Sequence, residues 1–544
     1  PANSPTHPVL VIRSVGPAGG AVNSLNWDGQ RLAIDRRWFV KPSRTPVKVY
    51  LGSETSKGWI SETSTAKQWQ DRRGWGYARL ELTSGDSWTF ELTNFPSAPT
   101  NLNAAKISSD MVLQLPDRGF VETINAQVAH LMMGLVGNRT RPSDPLNYPL
   151  PRLRDGAYQM VALARAGKLD VAKQLSSYFA ETDFLDGIQP KADVPALGIW
   201  ALAEVAQQLN QPEYDRFIWP HIQRKAELIM DMLRTNRPGY PVVEKSKAPF
   251  SEHPDFLEMD LVAGKMDNQP DLITLDPSAS MMSYRALLDA ATIADRVNQS
   301  AIAQSWRSEA AKLQAAWGKA FEYVFSGTPE TYTTSLWPSW IGSSNRKVLI
   351  KELERRWNEF YDASGSLRQP VAPHLNLAET HQWLFLGNSD RVWNTLEWFW
   401  QNQASPGLYT WWGDRNQVGE VPKSSSQWQR YRGWINPPHV TPHYWTAAEM
   451  LLLQLDMLTY VDRSASQPTL VIGAGIPKTW LNQSMSVKGL RIGGNSVNWT
   501  WDGKQMNVQM EGRNMNVRLG ANFPPHTAVN VVMLQKNELT QAQP

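Results

Sequence analysis

The spacing of apolar residues divides the chain into three parts. Between residues 9 and 115, short β-branched and aromatic runs such as VLVIRSV and YARLEL are interrupted by Gly, Pro, Asn and Ser, which is typical of β-strands. From about residue 118 the apolar positions recur every three or four residues, which indicates amphipathic helices. Past residue 465 the period returns to two, in segments such as SVNWTWDG and KQMNVQMEG, which predicts strands again.

The helical part resolves into pairs of helices joined by short loops. Paired helices favour an (α/α)6 toroid, while a repeat solenoid is the alternative that would require a fixed sequence period. Two connections, 236–276 and 404–441, are long, and long loops on one side of a scaffold usually carry function. Besides the helix that starts near residue 118, the pattern predicts helices at 154–166, 168–181, 194–210, 213–235, 277–297, 299–323, 345–360, 375–387, 389–403 and 442–461.

The sequence therefore predicts a multidomain, mainly α protein. An N-terminal antiparallel β-sandwich would cover residues 1–115, an (α/α)6 toroid with the catalytic function 116–463, and a C-terminal antiparallel β-sandwich 464–544. No run of about 18 apolar residues exists, so no membrane span is predicted. The start, PANSPTHP, has no apolar signal segment, although one could have been removed. This Pro-rich start and the Trp-rich β-domains favour an extracytoplasmic protein, secreted or periplasmic.

Composition removes several classes of chemistry. The 54 Lys and Arg against 51 Asp and Glu give a net charge of +3, which offers no electrostatic footprint for nucleic acid. The absence of Cys excludes disulfides, thiolate zinc sites, iron–sulfur clusters and a cysteine nucleophile. The nine His are scattered, and only His439 and His443 share helical spacing. We therefore predict neither a metal nor a cofactor.

Tryptophan is unusually frequent. Twelve of the 25 Trp fall between Trp337 and Trp445. Most of these rings are expected to pack helices together, because Trp is a large core residue. The functional interpretation is an aromatic-lined pocket, since flat rings match the C–H faces of sugars and an indole N–H can bond a hydroxyl. Trp411 and Trp412, adjacent in a Gly- and Pro-rich segment, are the best pocket candidates.

Carboxylates remain as the catalytic groups, and three segments supply them. Asp155 follows Arg152 and Arg154 and precedes an apolar helical segment. It either caps that helix or forms hydrogen bonds with sugar hydroxyls. The segment 251–271 holds six acidic residues in front of a helix. The segment 405–449 mixes Trp, Tyr and His with Asp414, Glu420 and Glu449.

Four motifs resemble those of a known superfamily. They are RDGAYQMVALARAGKLDVAKQ at 154–174, GKMDNQP at 264–270, LDPSASMMSYRALLDAATIAD at 275–295 and PHYWTAAEMLLLQLDML at 442–458. Together they are similar to the six-hairpin (α/α)6 glycosidases of the glucoamylase and trehalase kind, and to the processing α-glucosidase and mannosylglycerate hydrolase group. The resemblance spans residues 118–461.

This resemblance implies roles for particular residues. Asp267 takes the position of the general acid in the Gly-x-Asp-Asn-Ser-Pro loop, although Gln269 stands here in place of the Ser. The general base of the family is a Glu in the late loop, for which Glu420 is the first choice and Asp414 the second. Glu379 is a third possibility. The residues expected to contact the carbohydrate are Arg154, Asp155, Glu379, Trp411, Trp412 and His439.

The resulting hypothesis is an exo-acting, inverting glycoside hydrolase whose partner is a carbohydrate substrate. Inversion requires an acid and a base about 6.5–9.5 Å apart, against about 5–5.5 Å in a retaining pair. One alternative is a polysaccharide lyase on a similar toroid, in which His439, His443 and Tyr444 would abstract a proton and Arg432 would neutralise a uronate. A non-catalytic carbohydrate-binding protein is the other alternative.

Overall fold

The structure is a computed structural model. It describes residues 8–13, 22–53, 65–72, 74–84, 88–94, 110–143, 148, 150–187, 189–234, 263–266, 269–275, 277–324, 333–362, 367–368, 372–404, 407–411, 413, 442–464 and 467–534. The chain forms two compact units, one of residues 1–103 with 144–151 and the other of residues 104–143 with 152–544.

The first unit is made of β-strands. They form two antiparallel sheets, β1-β7-β5 and β6-β2-β3-β4-β8. Leu25 and Val40 from one sheet share a single apolar core with Leu51 and Leu80 from the other, because alternate residues of each strand point inwards. The strands are β1 (Val9–Arg13), β2 (Ser24–Trp27), β3 (Leu32–Ile34), β4 (Trp38–Pro42), β5 (Lys48–Ser53), β6 (Gln68–Gln70), β7 (Gly76–Glu81) and β8 (Phe90–Asn94).

The second unit holds eleven α-helices within the described residues, and the predicted helical hairpins are confirmed, with ends shifted by a few residues. Three helices, α2, α4 and α11, are buried on nearly every side, whereas α3, α8 and α10 bury one face. The helices are α1 (Arg118–Met133), α2 (Leu153–Arg165), α3 (Leu169–Glu181), α4 (Val194–Leu209), α5 (Pro212–Arg234), α6 (Pro277–Arg296), α7 (Ser300–Val324), α8 (Arg346–Phe360), α9 (Pro373–Phe385), α10 (Ser389–Gln401) and α11 (Tyr444–Leu458).

A group of five described helices packs side by side, all running in one direction. Helix α2 packs against α4, α4 against α6, α9 against α11, and α11 returns to α2. Arg154 near the start of α2 bonds Asp193 just before α4, and Arg296 at the end of α6 bonds the carbonyl of Ala206 near the end of α4. Trp445 near the start of α11 contacts Tyr158 of α2 and His374 at the start of α9. Because starts meet starts and ends meet ends, the N-termini of these helices lie at one end of the group.

An irregular segment, residues 333–345, bridges α6 and α9. Arg285 of α6 donates to the carbonyl of Pro338 at 2.9 Å. Gln382 of α9 accepts the N–H groups of Leu336 and Trp337 and donates to the carbonyls of Thr333 and Trp337. Side chains of both neighbouring helices therefore satisfy the backbone of a segment that ends in a 3-10 turn at Ile341–Asn345.

The remaining strands correct two predictions. Strand β9, which we expected in the N-terminal domain, pairs with β16, so residues 112–114 belong to the C-terminal sheet. The C-terminal sheets are not purely antiparallel, because β15–β19 and β18–β20 are parallel pairs. A period of two cannot reveal a partner, since tertiary packing decides pairing. These strands are β9 (Val112–Gln114), β10 (Leu185–Asp186), β11 (Gln189–Pro190), β12 (Ala263–Met266), β13 (Gln269–Leu275), β14 (Thr459–Asp462), β15 (Thr469–Ile472), β16 (Met485–Ile492), β17 (Asn495–Trp501), β18 (Gln505–Glu511), β19 (Asn516–Leu519) and β20 (Ala528–Leu534).

Gly156 in α2 is required by close packing. A Cβ at this position would overlap Thr140 Oγ1 and lie 3.0 Å from Phe179 Cζ. We expect Gly156→Ala to lower the free energy of unfolding by about 1–3 kcal/mol, although alanine is the better helix former. Urea unfolding followed by circular dichroism measures this. Gly318→Ala in α7, where the nearest atom is the flexible Asn345 Oδ1 at 3.3 Å, is the control and should keep the free energy of unfolding or raise it by up to about 1 kcal/mol. Equal losses in both variants would contradict the packing argument.

Candidate active site

A group of polar and aromatic side chains gathers where α2, α9 and α11 begin. The ring of His374 contacts the rings of His443 and Trp445, with centroid distances of 5.2 and 4.5 Å. Trp445 stacks on Tyr158 with centroids 5.2 Å apart. We call this group the helix-start cluster, and its members are Arg154, Asp155, Tyr158, His374, His443 and Trp445.

Asp155 is the acidic member of the helix-start cluster. It is 6% exposed, and burial together with the negative charge of Asp186 raises its pKa to about 7, against the opposing charges of Arg152 and Arg154. The helix start is instead capped by Asp186, whose Oδ1 accepts the N–H groups of Leu153 at 2.9 Å and Arg154 at 3.2 Å. Asp155 is thus not the cap of α2, and it can hold a proton near neutral pH.

His443 is held in one orientation beside Asp155. Its Nδ1 accepts the backbone N–H of Thr446 at 3.3 Å, which caps α11, and its Nε2 lies 3.9 Å from Asp155 Oδ1. Burial, reinforced by His374, holds the pKa of His443 well below its usual value. With Nδ1 accepting, the neutral ring carries its proton on Nε2, which faces Asp155.

Trp445 and Arg154 are also fixed by partners. Trp445 Nε1 donates to Glu449 Oε1 at 3.3 Å, and burial raises the pKa of that glutamate. Arg154 Nε donates to Asp193 Oδ2 at 2.7 Å. Both the aromatic face and the guanidinium therefore have defined positions before any ligand binds.

Two predicted contact residues have other surroundings. Trp411 is 2% exposed, donates from Nε1 to the carbonyl of Phe399 at 2.8 Å, and packs in the apolar core. Glu379 is 4% exposed and accepts two hydrogen bonds from Arg356, at 2.8 and 3.0 Å. Neither side chain joins the helix-start cluster. The other predicted residues, Asp267, Trp412, Asp414, Glu420 and His439, lie outside the described part of the chain.

Part of the helix-start cluster was predictable from the sequence. Arg154 and Asp155 stand in a recognisable motif, and His443 was expected only as a possible base. Tyr158, His374 and Trp445 were not predicted, and neither was the capping Asp186. The available signal was the position of the aromatic members in the first two turns of their helices, because parallel neighbouring helices bring those turns together.

The described residues contain no group of three or more His, Asp or Glu side chains that could hold a metal ion. None of the described helices is long and apolar enough to cross a membrane.

Comparison with known proteins gives a likeness in fold. No family model and no curated protein matches the sequence. The GH78 family rhamnosidase of Bacillus sp. GL1 matches with a TM-score of 0.53 at 12% identity, over 98% of this chain and 55% of that chain. The alpha-L-rhamnosidase from Dictyoglumus thermophilum matches with a TM-score of 0.51 at 9% identity, over 94% and 59%. A bacterial glucoamylase complexed with acarbose matches with a TM-score of 0.44 at 11% identity, over 80% of this chain and 74% of that chain.

The chain spans a little more than half the length of the two rhamnosidases. At this identity the likeness concerns the fold. The resemblance that the motifs suggested is confirmed at that level: this chain is similar in fold to the six-hairpin glycosidases.

Proposed function

We propose that this protein is a glycoside hydrolase, exo-acting and inverting, built on an (α/α)6 toroid flanked by β-sandwich domains. In this toroid, residues 333–345 take the place of one inner helix. The observation on which the proposal rests is the helix-start cluster, in which Asp155, with its raised pKa, lies beside a neutral His443 and a stacked aromatic pair.

The chemistry of the cluster suits a sugar. Trp445 is partly exposed and is held by stacking on the buried Tyr158, so its ring can pack against the C–H face of a pyranose. Asp155, protonated or ionised near neutral pH, can donate to or accept from a hydroxyl. Arg154, oriented by Asp193, adds donors with a fixed direction.

Chain connectivity supports Asp267 as the general acid. Strand β12 packs against α6, and its last residue, Met266, pairs with Gln269 of β13. Asp267 lies between these two residues in the sequence, ahead of a helix that runs parallel to α2 and α4. The chain therefore enters α6 at the same end at which the helix-start cluster lies.

The same reasoning supports a base in the late segment. The carbonyl of Trp411 accepts the N–H of His443 at 3.1 Å, so the two ends of the connection that contains Asp414 and Glu420 meet beside the cluster. We propose Glu420 as the base that activates water, with Asp414 as the second candidate, in a two-carboxylate mechanism.

Asp155→Asn is expected to change the pH dependence of stability. A raised pKa means that the folded state binds a proton more tightly than the unfolded chain, so the contribution of Asp155 to stability is greatest at low pH and falls as pH rises towards 7. Between pH 5 and pH 8 the wild type should lose on the order of 3 kcal/mol more than Asp155→Asn. Unfolding midpoints at both pH values measure this. Asp170→Asn, an exposed residue of α3, is the control; parallel pH profiles of wild type and Asp155→Asn would contradict the shifted pKa.

The reaction type is tested by incubation with a panel of neutral and acidic glycans. A hydrolase releases new reducing ends without ultraviolet absorbance. Products that absorb in the band of unsaturated uronates would identify a lyase, and binding without cleavage of any glycan would identify a non-catalytic carbohydrate-binding protein.

A further inference from the structure

A cavity lies away from the helix-start cluster, between the α9–α10 hairpin and the loop that follows β15. Its volume is about 600 Å³, within the range of about 300–1,000 Å³ that is common for ligand pockets. Its walls come from α8, the α9–α10 turn, residues 477–479 and Asn522. We call it the seam cleft.

The seam cleft combines apolar surface with polar groups. Ile350, 39% exposed, Leu386 and Pro477 supply the apolar surface. Asp390, Lys478 and Thr479 are exposed polar residues of the lining.

The charges of the seam cleft balance. Glu354 of the lining forms an ion pair, at 3.1 Å, with Arg391, which is not itself a lining residue. Asp390 and Lys478 carry opposite charges and form no ion pair with each other or with any other described residue. A binding surface without net charge has no preference for an anion or a cation. The open donors and acceptors suit a neutral ligand with many hydroxyl groups.

Hydrogen bonds fix the cleft in the absence of a ligand. Asn522 Nδ2 donates to Ser389 Oγ at 3.1 Å and to the carbonyl of Ile476 at 2.9 Å. Trp393 Nε1 donates to the carbonyl of Gly475 at 2.7 Å. These bonds tie the start of α10 to the loop on the opposite wall. A preformed cleft spares a ligand the cost of ordering its walls.

We propose that the seam cleft binds a neutral oligosaccharide segment, as a carbohydrate site separate from the helix-start cluster. The inference of a sugar as the neutral polyhydroxyl ligand rests on the proposed function. Apolar C–H faces would lie against Ile350, Leu386 and Pro477, and hydroxyls would bond Asp390, Lys478 and Thr479. The site would hold part of a long substrate while its end reacts elsewhere.

The test is isothermal titration of the full chain with maltohexaose, cellohexaose and xylohexaose, with hexagalacturonate as the charged comparison. The double variant Asp390→Ala/Lys478→Ala removes both open charges of the cleft. The matched control, Asp170→Ala/Lys488→Ala, removes an exposed acid from the first turn of another helix and an exposed lysine from strand β16, outside the cleft. We expect at least one neutral hexasaccharide to bind a site that weakens tenfold or more in the cleft variant and less than twofold in the control.

Three outcomes overturn the proposal: no binding of any neutral hexasaccharide, equal affinities in the two double variants, or tighter binding of hexagalacturonate. Hydrolysis is scored separately on a short substrate, for which the cleft variant should keep its kcat/KM within twofold. Loss of the cleft site in a protein that cleaves no glycan would refute the hydrolase and leave the cleft proposal standing. Cleavage of a glycan together with unchanged hexasaccharide binding in the cleft variant would support the hydrolase and refute the cleft proposal.

Discussion

Asp267→Asn is expected to lower kcat by about 10²–10⁴-fold on natural glycosides while leaving carbohydrate binding nearly unchanged. An amide cannot give a proton to the departing oxygen, so the sugar must leave as an unprotonated alkoxide. Size and hydrogen-bonding capacity are nearly conserved, which is why the dissociation constant of a bound oligosaccharide should change little. Steady-state kinetics and titration with the product sugar measure the two quantities.

An activated leaving group separates acid loss from misfolding. A nitrophenyl glycoside needs little protonation to depart, so Asp267→Asn should recover much of its activity on this substrate, whereas Glu420→Gln should not. Asp271→Asn, four residues further along and within β13, is the control and should retain activity within a few-fold. Full activity of Asp267→Asn on natural glycosides would exclude Asp267 as the acid.

Arg285→Met is expected to lower the free energy of unfolding by about 3–5 kcal/mol, because removing one partner of a buried ion pair leaves the other charge uncompensated. Arg285 is 5% exposed and donates to Glu204 Oε1 at 2.6 Å and to Asp289 Oδ2 at 2.7 Å. Burial raises the pKa of Asp289, and the charge of Arg285 opposes that shift. The variant also leaves the carbonyl of Pro338 without this donor, which loosens the segment that bridges α6 and α9.

Arg355→Met provides a matched comparison on the surface. Arg355 also contacts two carboxylates, Glu352 and Glu359, both at 3.0 Å, but half of its side chain is exposed, at 50%. Surface pairs of this kind contribute about 0–1 kcal/mol. Urea unfolding midpoints should therefore differ clearly between the two variants. A loss below about 1 kcal/mol for Arg285→Met would show that the buried network does not stabilise the packing of α4 against α6.

The helices could be predicted because their periodicity is long and regular. In α4, apolar residues occur on all sides of the helix, and in α10 they follow one face, so both types were visible in the sequence. The pairing of the strands was harder to predict from the sequence. β9 and β16 are separated by most of the chain, and β14 continues directly from α11, where the sequence predicted more helix. Both depend on contacts that no local pattern encodes.

The candidate site was predicted only where a motif was local. Arg154 and Asp155 stand together in the sequence, whereas Tyr158 and Trp445 stack only because α11 closes against α2. For Trp411 the sequence predicted a contact with sugar that the surroundings of the side chain do not support. Its indole is buried and donates to the carbonyl of Phe399, and this burial depends on tertiary packing rather than on the local sequence.

The most direct measurement is proton NMR of the first product released from a glycan that the protein cleaves, recorded before mutarotation. Inverting hydrolysis by an acid and a base on opposite faces of the sugar predicts a hemiacetal whose anomeric configuration is opposite to that of the cleaved bond. A product that keeps the original configuration would contradict inversion, and the absence of hydrolysis across neutral and acidic glycans would contradict the glycosidase itself.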